Sequence, residues 1–235
     1  ALAVRYFHDQ IFRLRNHPAV IGWLTGSDRV PNARLEEEYM KSYNKLEYRP
    51  YICSAKGMSS TYGGPSGMKM EGPYEYVEPD YWYKDTKHGG AYGFNTETGI
   101  GMNIPQVESI RKMVGSDKLW PLNETWNYHC TAANSYLHDT SVMEDVMAGQ
   151  YGAATELDDF MRKAHAIDYD GTRAMYEAFR CNVPKTTGIV QWMLNSAWPS
   201  LYWQLYDWYL VPTAGYYGTK KACAPVQLVY NYKDH

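Results

Sequence analysis

The sequence carries almost no excess charge of either sign: 23 basic and 26 acidic side chains leave a formal charge of −3. So even a balance offers no basic footprint for a phosphate backbone, which argues against a nucleic-acid partner. Long apolar runs are also missing. None approaches the roughly 18–20 residues that a spanning helix needs, so no membrane is expected as a partner. Cysteine is scarce. Cys53, Cys130, Cys181 and Cys223 are widely spaced, form no CxxC pair and have no histidine at ligand spacing. They read as buried free thiols rather than a zinc site or a disulfide framework, and no metal is expected. No GxGxxG follows a strand-like segment, which lowers the dinucleotide reading and leaves no cofactor to expect. Repeats and low-complexity tracts are absent. Asn123-Glu-Thr125 fits the glycosylation pattern, but three residues match by chance easily.

What the sequence does have is aromatic surface. Tyr 23, Trp 8 and Phe 5 make up 15% of 235 residues, and the two dominant types join a flat apolar face to a polar handle. Core packing alone is not the obvious account of such a surplus. It points to a ligand with apolar faces and hydroxyls.

The order of elements follows from periodicity. Val4, Phe7, Ile11 and Leu14 form one helical stripe, stopped at Pro18. Val20 to Leu24 reads as a short buried strand. Arg34 to Tyr48 reads as a helix with Glu36, Glu37 and Glu38 in its first turn. Strands are expected at Tyr51–Ala55, Met70–Gly72, Gly90–Asn95 and Gly188–Leu194, with a Gly- and Ser-rich loop over 56–69. Pro105 opens a helix through Val114, and residues 139–180 hold two or three more. Pro225 to Tyr232 alternates like a strand. The first helix lacks a cap and the last strand lacks a partner, so both ends are expected to be cuts within a longer chain.

This alternation argues for an α/β fold with parallel strands and outer helices, either an open sheet or a barrel. In a (β/α)8 barrel the chemistry sits just past strand C-termini. Asp28, after Trp23–Ser27, and Glu97, after Phe94–Thr96, occupy such positions. Two carboxyl groups facing one bond suffice for glycoside hydrolysis, one protonating the leaving oxygen and the other attacking or activating water. On the residues alone a loop or cap acid accounts for Asp28, and a solvated acid for Glu97, at least as well. Trp23, Tyr74, Tyr81, Trp82, Trp192 and Trp198 also fall at or near strand ends, where rings could stack on sugar faces. For any one of them ordinary packing is the better account.

At this point the motifs resemble a known family. Arg15 to Asp28 resembles the acid/base segment of glycoside hydrolase family 2, with Ser27-Asp28 in place of that family's usual Asn-Glu, as in its exo-β-D-glucosaminidase branch. Gly72–Tyr83, Gly93–Gly99, Gln191–Ser200 and Trp203–Leu210 resemble later strands of the same branch, in the same order. The resemblance implies that Asp28 is the acid/base and Glu97 the nucleophile, at the ends of the fourth and seventh barrel strands. It implies that Tyr74 hydrogen-bonds the nucleophile and that Trp192 floors the sugar site, with Asn195 and Trp198 nearby. Ser27 and Trp82 complete the expected substrate-binding set.

The implied fold is the C-terminal part, about strands four to eight, of a (β/α)8 TIM barrel over residues 1–221. Residues 222–235 would start a linker into a β-sandwich. The implied activity is a retaining removal of β-linked D-glucosamine from chitosan-type oligosaccharides, in a secreted or periplasmic setting. A β-mannosidase or β-galactosidase of the same family, or a non-catalytic carbohydrate-binding remnant, are the alternatives. The missing N-terminal half of the barrel is an expected partner alongside the oligosaccharide. Without it an open arc exposes two strand edges, so the segment alone is expected to be inactive.

Overall fold

The computed structural model describes residues 2–85, 89–130 and 138–232. The chain divides into two compact units. The first contains residues 1–70 and 94–96, and the second contains 71–93 and 97–235.

In the first unit, α1 (Leu2–Leu14) and α2 (Ala33–Leu46) flank two short strands, β1 (Trp23–Leu24) and β2 (Tyr51–Ile52). The α1 stripe read from the sequence buries Phe7 and Ile11 against Trp23 and Tyr43. Enclosing such side chains contributes about 1.5–3 kcal/mol each. α2 begins where Asn32 accepts the Arg34 amide at 3.1 Å, satisfying one of the donors a helix start leaves open. Its Tyr39, Tyr43 and Leu46 face the same core. β1 and β2 run parallel, with Trp23 opposite Tyr51 and Leu24 opposite Ile52, so β1, α2 and β2 form the strand–helix–strand repeat that the alternation predicts.

Both strands are shorter than expected. β1 stops at Leu24, two residues before Gly26, where a Cβ would lie 2.2 Å from the Arg29 carbonyl oxygen and 2.5 Å from that of Cys53. Two further backbone bonds, Thr25 N to Ile52 O at 3.0 Å and Ala55 N to Gly26 O at 2.8 Å, carry the pairing to this close approach. The loop over 56–69 contains a small antiparallel pair, β3 (Ser59–Ser60) and β4 (Gly64–Pro65). The strand expected at Met70–Gly72 reduces to a single parallel bridge between Lys69 and Asn95.

Glu36, expected as a first-turn acid, is fully buried. It accepts from the Tyr51 hydroxyl at 3.1 Å and the Tyr62 amide at 3.3 Å. Glu47, just past α2, has a side chain only 1% exposed. It is held by Trp23 Nε1 at 3.0 Å, Arg49 Nη1 at 2.8 Å and the amides of Tyr48 and Arg49.

The second unit is mostly helical: α3 (Tyr81–Lys84), α4 (Val107–Val114), α5 (Glu124–Tyr128), α6 (Ser141–Tyr151), α7 (Leu157–Cys181) and α8 (Ala214–Ala222). β5 (Gly93–Thr98) pairs with β6 (Thr186–Gln191). Gly93 N donates to Lys185 O and Trp192 N to Thr98 O, so the two strands run in the same direction.

Residues 157–181, expected as two helices, form one helix of 25 residues. Phe160, Ala164, Ile167, Gly171, Met175 and Ala178 lie on its buried side. α8 packs so closely on it that a Cβ at Gly218 would lie 2.5 Å from the Tyr169 carbonyl oxygen. Asp168, also on the buried side, accepts the Ile104 amide at 2.7 Å and ties the segment before α4 to the helix.

Trp126 and Phe160 meet edge-to-face in one core, while Trp82, Met175 and Phe179 belong to another. Asn123, the chance glycosylation match, caps α5 by accepting the Thr125 amide at 3.0 Å.

The mixed α/β character stands. Among the described residues, however, no sheet closes, and two-stranded pieces replace the expected run of strands. Pro225–Tyr232, expected as a strand, is irregular, and residues 233–235 of the expected linker lie outside the described residues. Of the four thiols, Cys53 and Cys130 are buried as expected. Cys181 is half-buried and Cys223 exposed, which corrects that expectation. No helix among the described residues is long and apolar enough to cross a membrane.

Candidate active site

Glu97 sits on β5 with a half-buried side chain. The strand brings it there because Thr98, its neighbour, is locked on both sides. Thr98 Oγ1 donates to Pro73 O at 3.1 Å, and its carbonyl accepts Trp192 N at 2.8 Å. Gly99 N also donates to Pro73 O at 3.0 Å. These bonds fix the backbone just before Tyr74. The Tyr74 hydroxyl then donates to Glu97 Oε1 at 3.0 Å, the contact the resemblance implies. A phenol donating to a carboxylate is a charge-assisted bond, stronger than a neutral one.

Trp203 was not among the residues singled out for the site, yet it touches Tyr74 twice. Its Nε1 donates to Tyr74 O at 2.6 Å, and the two rings meet edge-to-face with centroids 6.2 Å apart. The sequence signal was available, since Trp203 opens the Trp203–Leu210 string.

The remaining aromatics separate by exposure. Trp192 follows β6 and is 41% exposed, and Trp198 is 36% exposed with its ring stacked on His129 at 5.5 Å. Both keep surface that a ligand can reach. Trp82 does not. It is fully enclosed in the core beside Met175 and Phe179, so its expected role as a sugar contact is corrected. Trp23 is likewise a core residue, 7% exposed. In both cases a Trp near a strand end is serving the packing of helices.

Asn195 is exposed and bridges to Tyr206 through the backbone. The loop around it rests on a buried polar network. Ser196 Oγ contacts Ser200 Oγ at 2.7 Å and donates to Gln204 Oε1 at 2.9 Å, while Gln204 Nε2 donates to Ser200 O at 2.7 Å. Fully paired buried groups of this kind give a loop one geometry.

In the first unit, Ser27 and Asp28 are exposed at the end of β1. Ser27 Oγ faces Asp28 Oδ2 at 3.4 Å, at the long limit of a hydrogen bond. Ser27 itself is anchored, since its carbonyl accepts Ser54 Oγ at 2.7 Å. Among the described residues no three His, Cys, Asp or Glu side chains gather as a metal site.

No protein-family model matches the chain. It is 39% identical, over 94% of its length, to the exo-β-D-glucosaminidase of Streptomyces avermitilis, and 37% identical to that of Amycolatopsis orientalis. It covers 25% and 22% of those proteins, so the chain spans about a quarter of the length of the curated relatives it matches. The crystal structure of the Amycolatopsis orientalis exo-chitosanase superposes with a TM-score of 0.87 at 35% identity, covering 98% of this chain and 28% of that one. The β-mannosidase of Dictyoglomus thermophilum shares the fold, with a TM-score of 0.71 at 20% identity over 93% of this chain and 28% of that one. Over nearly its whole length, then, this chain is a homologue of the exo-β-D-glucosaminidases, the branch of glycoside hydrolase family 2 that its motifs resemble.

Proposed function

We propose that the protein carrying this chain is a retaining glycoside hydrolase that removes β-linked D-glucosamine from the ends of chitosan-type oligosaccharides. The observation that carries the reading is the Tyr74–Glu97 hydrogen bond at the end of β5. It presents a half-buried carboxylate with one oxygen held by a phenol.

In the first step Glu97 attacks the anomeric carbon as the glycosidic C–O bond breaks, and Asp28 gives its proton to the leaving oxygen. In the second, water attacks the same carbon, Asp28 takes the water proton, and Glu97 is released. Retention requires two carboxyl groups ~5–5.5 Å apart. Trp192 supplies the aromatic floor, with Asn195 and Trp198 beside it and Ser27 next to the acid. The ammonium at C2 of glucosamine would be drawn to these carboxylates, which a neutral or N-acetylated sugar is not.

Two likenesses support the reading. The Amycolatopsis orientalis enzyme has been solved with PNP-β-D-glucosamine as one Glu-to-Ala and one Asp-to-Ala variant, the same two acid types. Identity to exo-β-D-glucosaminidases is 35–39%, against 27% for the lily mannosylglycoprotein endo-β-mannosidase. We place residues 1–221 as about strands four to eight of a (β/α)8 barrel, with 222–235 as the linker that follows. The parallel β1–α2–β2 repeat supports that placement.

The test is hydrolysis of p-nitrophenyl β-D-glucosaminide by the full-length protein, with Asp28→Asn and Glu97→Gln. Each is expected to lose about 10²–10⁴-fold in turnover, and the wild-type product should be the β-anomer. Unchanged turnover in Glu97→Gln, or an α-product, overturns the proposal. Equal turnover of chitosan oligomers and their N-acetylated counterparts removes the glucosamine assignment. The 235-residue chain assayed alone is expected to show no turnover.

A further inference from the structure

We infer that Trp203 is a positioning residue: through Tyr74 it holds Glu97 in its reactive orientation. This rests on the reading of Glu97 as the nucleophile.

Tyr74 lies in a stretch with no helix or strand of its own, so something else must fix its ring. The backbone before it is bound to β5 through Pro73 O. Beyond that point Trp203 and Glu97 both contact Tyr74. The Trp203 indole donates to the Tyr74 carbonyl and packs edge-to-face on its ring, while the phenol reaches Glu97 Oε1. One side chain thus touches both the backbone and the ring of the residue that binds the nucleophile.

Trp203 is itself fixed beyond what packing needs. Its φ is 51°, in the left-handed region that residues with a Cβ avoid. It is kept there by Trp203 N donating to Gly101 O at 2.9 Å and by Met193 N donating to Trp203 O at 2.9 Å. Both partners lie close in sequence to functional positions: Gly101 is four residues past Glu97, and Met193 follows Trp192. Space for the indole exists because residue 99 is glycine. A Cβ there would lie 3.3 Å from Trp203 Cδ1 and 2.9 Å from Trp192 O. A strained backbone held by its surroundings beside a proposed reactive group is where strain is expected to serve function.

The competing account is that Trp203 only fills the edge of the core, where it and Tyr202 pack. The two accounts differ in coupling. In the full-length protein with p-nitrophenyl β-D-glucosaminide, Trp203→Phe keeps a ring but removes the N–H donor. It is expected to lower kcat about 10-fold with KM little changed, and Tyr74→Phe is expected to lower it further. The double variant should be no slower than Tyr74→Phe alone, because contacting residues in one network are non-additive. Losses that multiply, or a silent Trp203→Phe, overturn the inference.

A second readout does not depend on turnover. With ¹³Cζ-labelled tyrosine, the Tyr74 resonance, assigned by its loss in Tyr74→Phe, should move in Trp203→Phe. It should also move in Gly99→Ala, which displaces the indole while keeping it. A Tyr74 resonance at its wild-type position in both variants overturns the inference. If instead Glu97→Gln remains active while the resonance moves, the positioning stands and the assignment of Glu97 fails.

Discussion

The two proposed catalytic acids are built to different degrees. Glu97 is half-buried on a strand whose neighbouring residues are locked by Pro73 and Trp192, and it is held by Tyr74, which Trp203 supports in turn. Asp28 is exposed at the end of a two-residue strand, with Ser27 at 3.4 Å facing its carboxyl. The difference matches the two tasks. A nucleophile must present one ionised oxygen along one line. An acid/base must exchange protons with the leaving oxygen and with water, which favours access. On the proposed roles, the hydrogen-bonded scaffold surrounds the nucleophile, where orientation contributes most to rate.

Chemical rescue tests this asymmetry with the largest effect. In the full-length protein, Glu97→Ala and Asp28→Ala should both fall by at least about 10²-fold. Azide should restore turnover in each, with opposite products. In Glu97→Ala it replaces the nucleophile and gives the α-glycosyl azide. In Asp28→Ala it replaces water in the second step and gives the β-glycosyl azide. The product anomer, read by NMR, assigns the two roles independently of rate. Identical anomers from both variants would break the distinction drawn between the two acids.

The sequence singled out the two proposed acids because each sits in a specific string of residues after a short apolar run. The helices α1 and α2 were legible because their apolar stripes repeat at 3.6 residues, and α4 because Pro105 marks its approach. What could not be read is what depends on distant partners. Trp82 looked like a rim aromatic because it follows the Gly72–Glu78 stretch. It is core because α7 encloses it, some 90 residues later. Glu36 was read only as a first-turn acid, and its burial against the Tyr51 hydroxyl and the Tyr62 amide depends on residues that lie 15 and 26 positions away. Continuity of α7 through Gly171 was hidden because an interior glycine normally weakens a helix. Strand lengths were overestimated because β1 and β2 pair regularly over two residues only, before the tight approach of Gly26 to residues 29 and 53. Trp203 stood inside a recognised string, yet nothing local shows that its N–H points at Tyr74.

Stability gives a second comparison between the units, at intermediate size. Gly26 and Gly218 both mark places where backbone meets backbone. A methyl at Gly26 would meet two carbonyl oxygens at 2.2 and 2.5 Å, and one at Gly218 would meet the Tyr169 oxygen at 2.5 Å. Carbonyls in a turn or a helix cannot swing aside as a side chain can. Both Gly→Ala changes should therefore destabilise by about 1–3 kcal/mol, with Gly26→Ala the worse of the two. Urea unfolding with two probes, one for each unit's tryptophans, would measure it. Equal and negligible losses would show that these approaches are looser than the distances imply.

The smallest effects come from two buried carboxyl groups with opposite surroundings. Burial pushes Glu47 up, but the Tyr48 and Arg49 amides, Trp23 Nε1 and the Arg49 charge outweigh it and hold the carboxyl below its usual range. Asp168 is fully buried with the Ile104 amide donating to it, and burial pushes it well above the carboxylate range. The signs then differ. Lowered in the folded state, Glu47 contributes stability that is present above its unfolded pKa of ~4.3 and lost as pH falls through the folded value. Raised in the folded state, Asp168 contributes most below its unfolded pKa of ~3.9 and loses that contribution as pH rises towards the folded value. Glu47→Gln should thus lower stability at neutral pH and flatten its decline in acid. Asp168→Asn keeps an acceptor for Ile104 without a charge to bury, so it should be neutral or stabilising at pH 7. Thermal melts from pH 3 to 8 separate the two. If both variants lose stability at pH 7 and gain it in acid, Asp168 is paired as fully as Glu47, and the contrast between one saturated and one under-satisfied carboxyl fails.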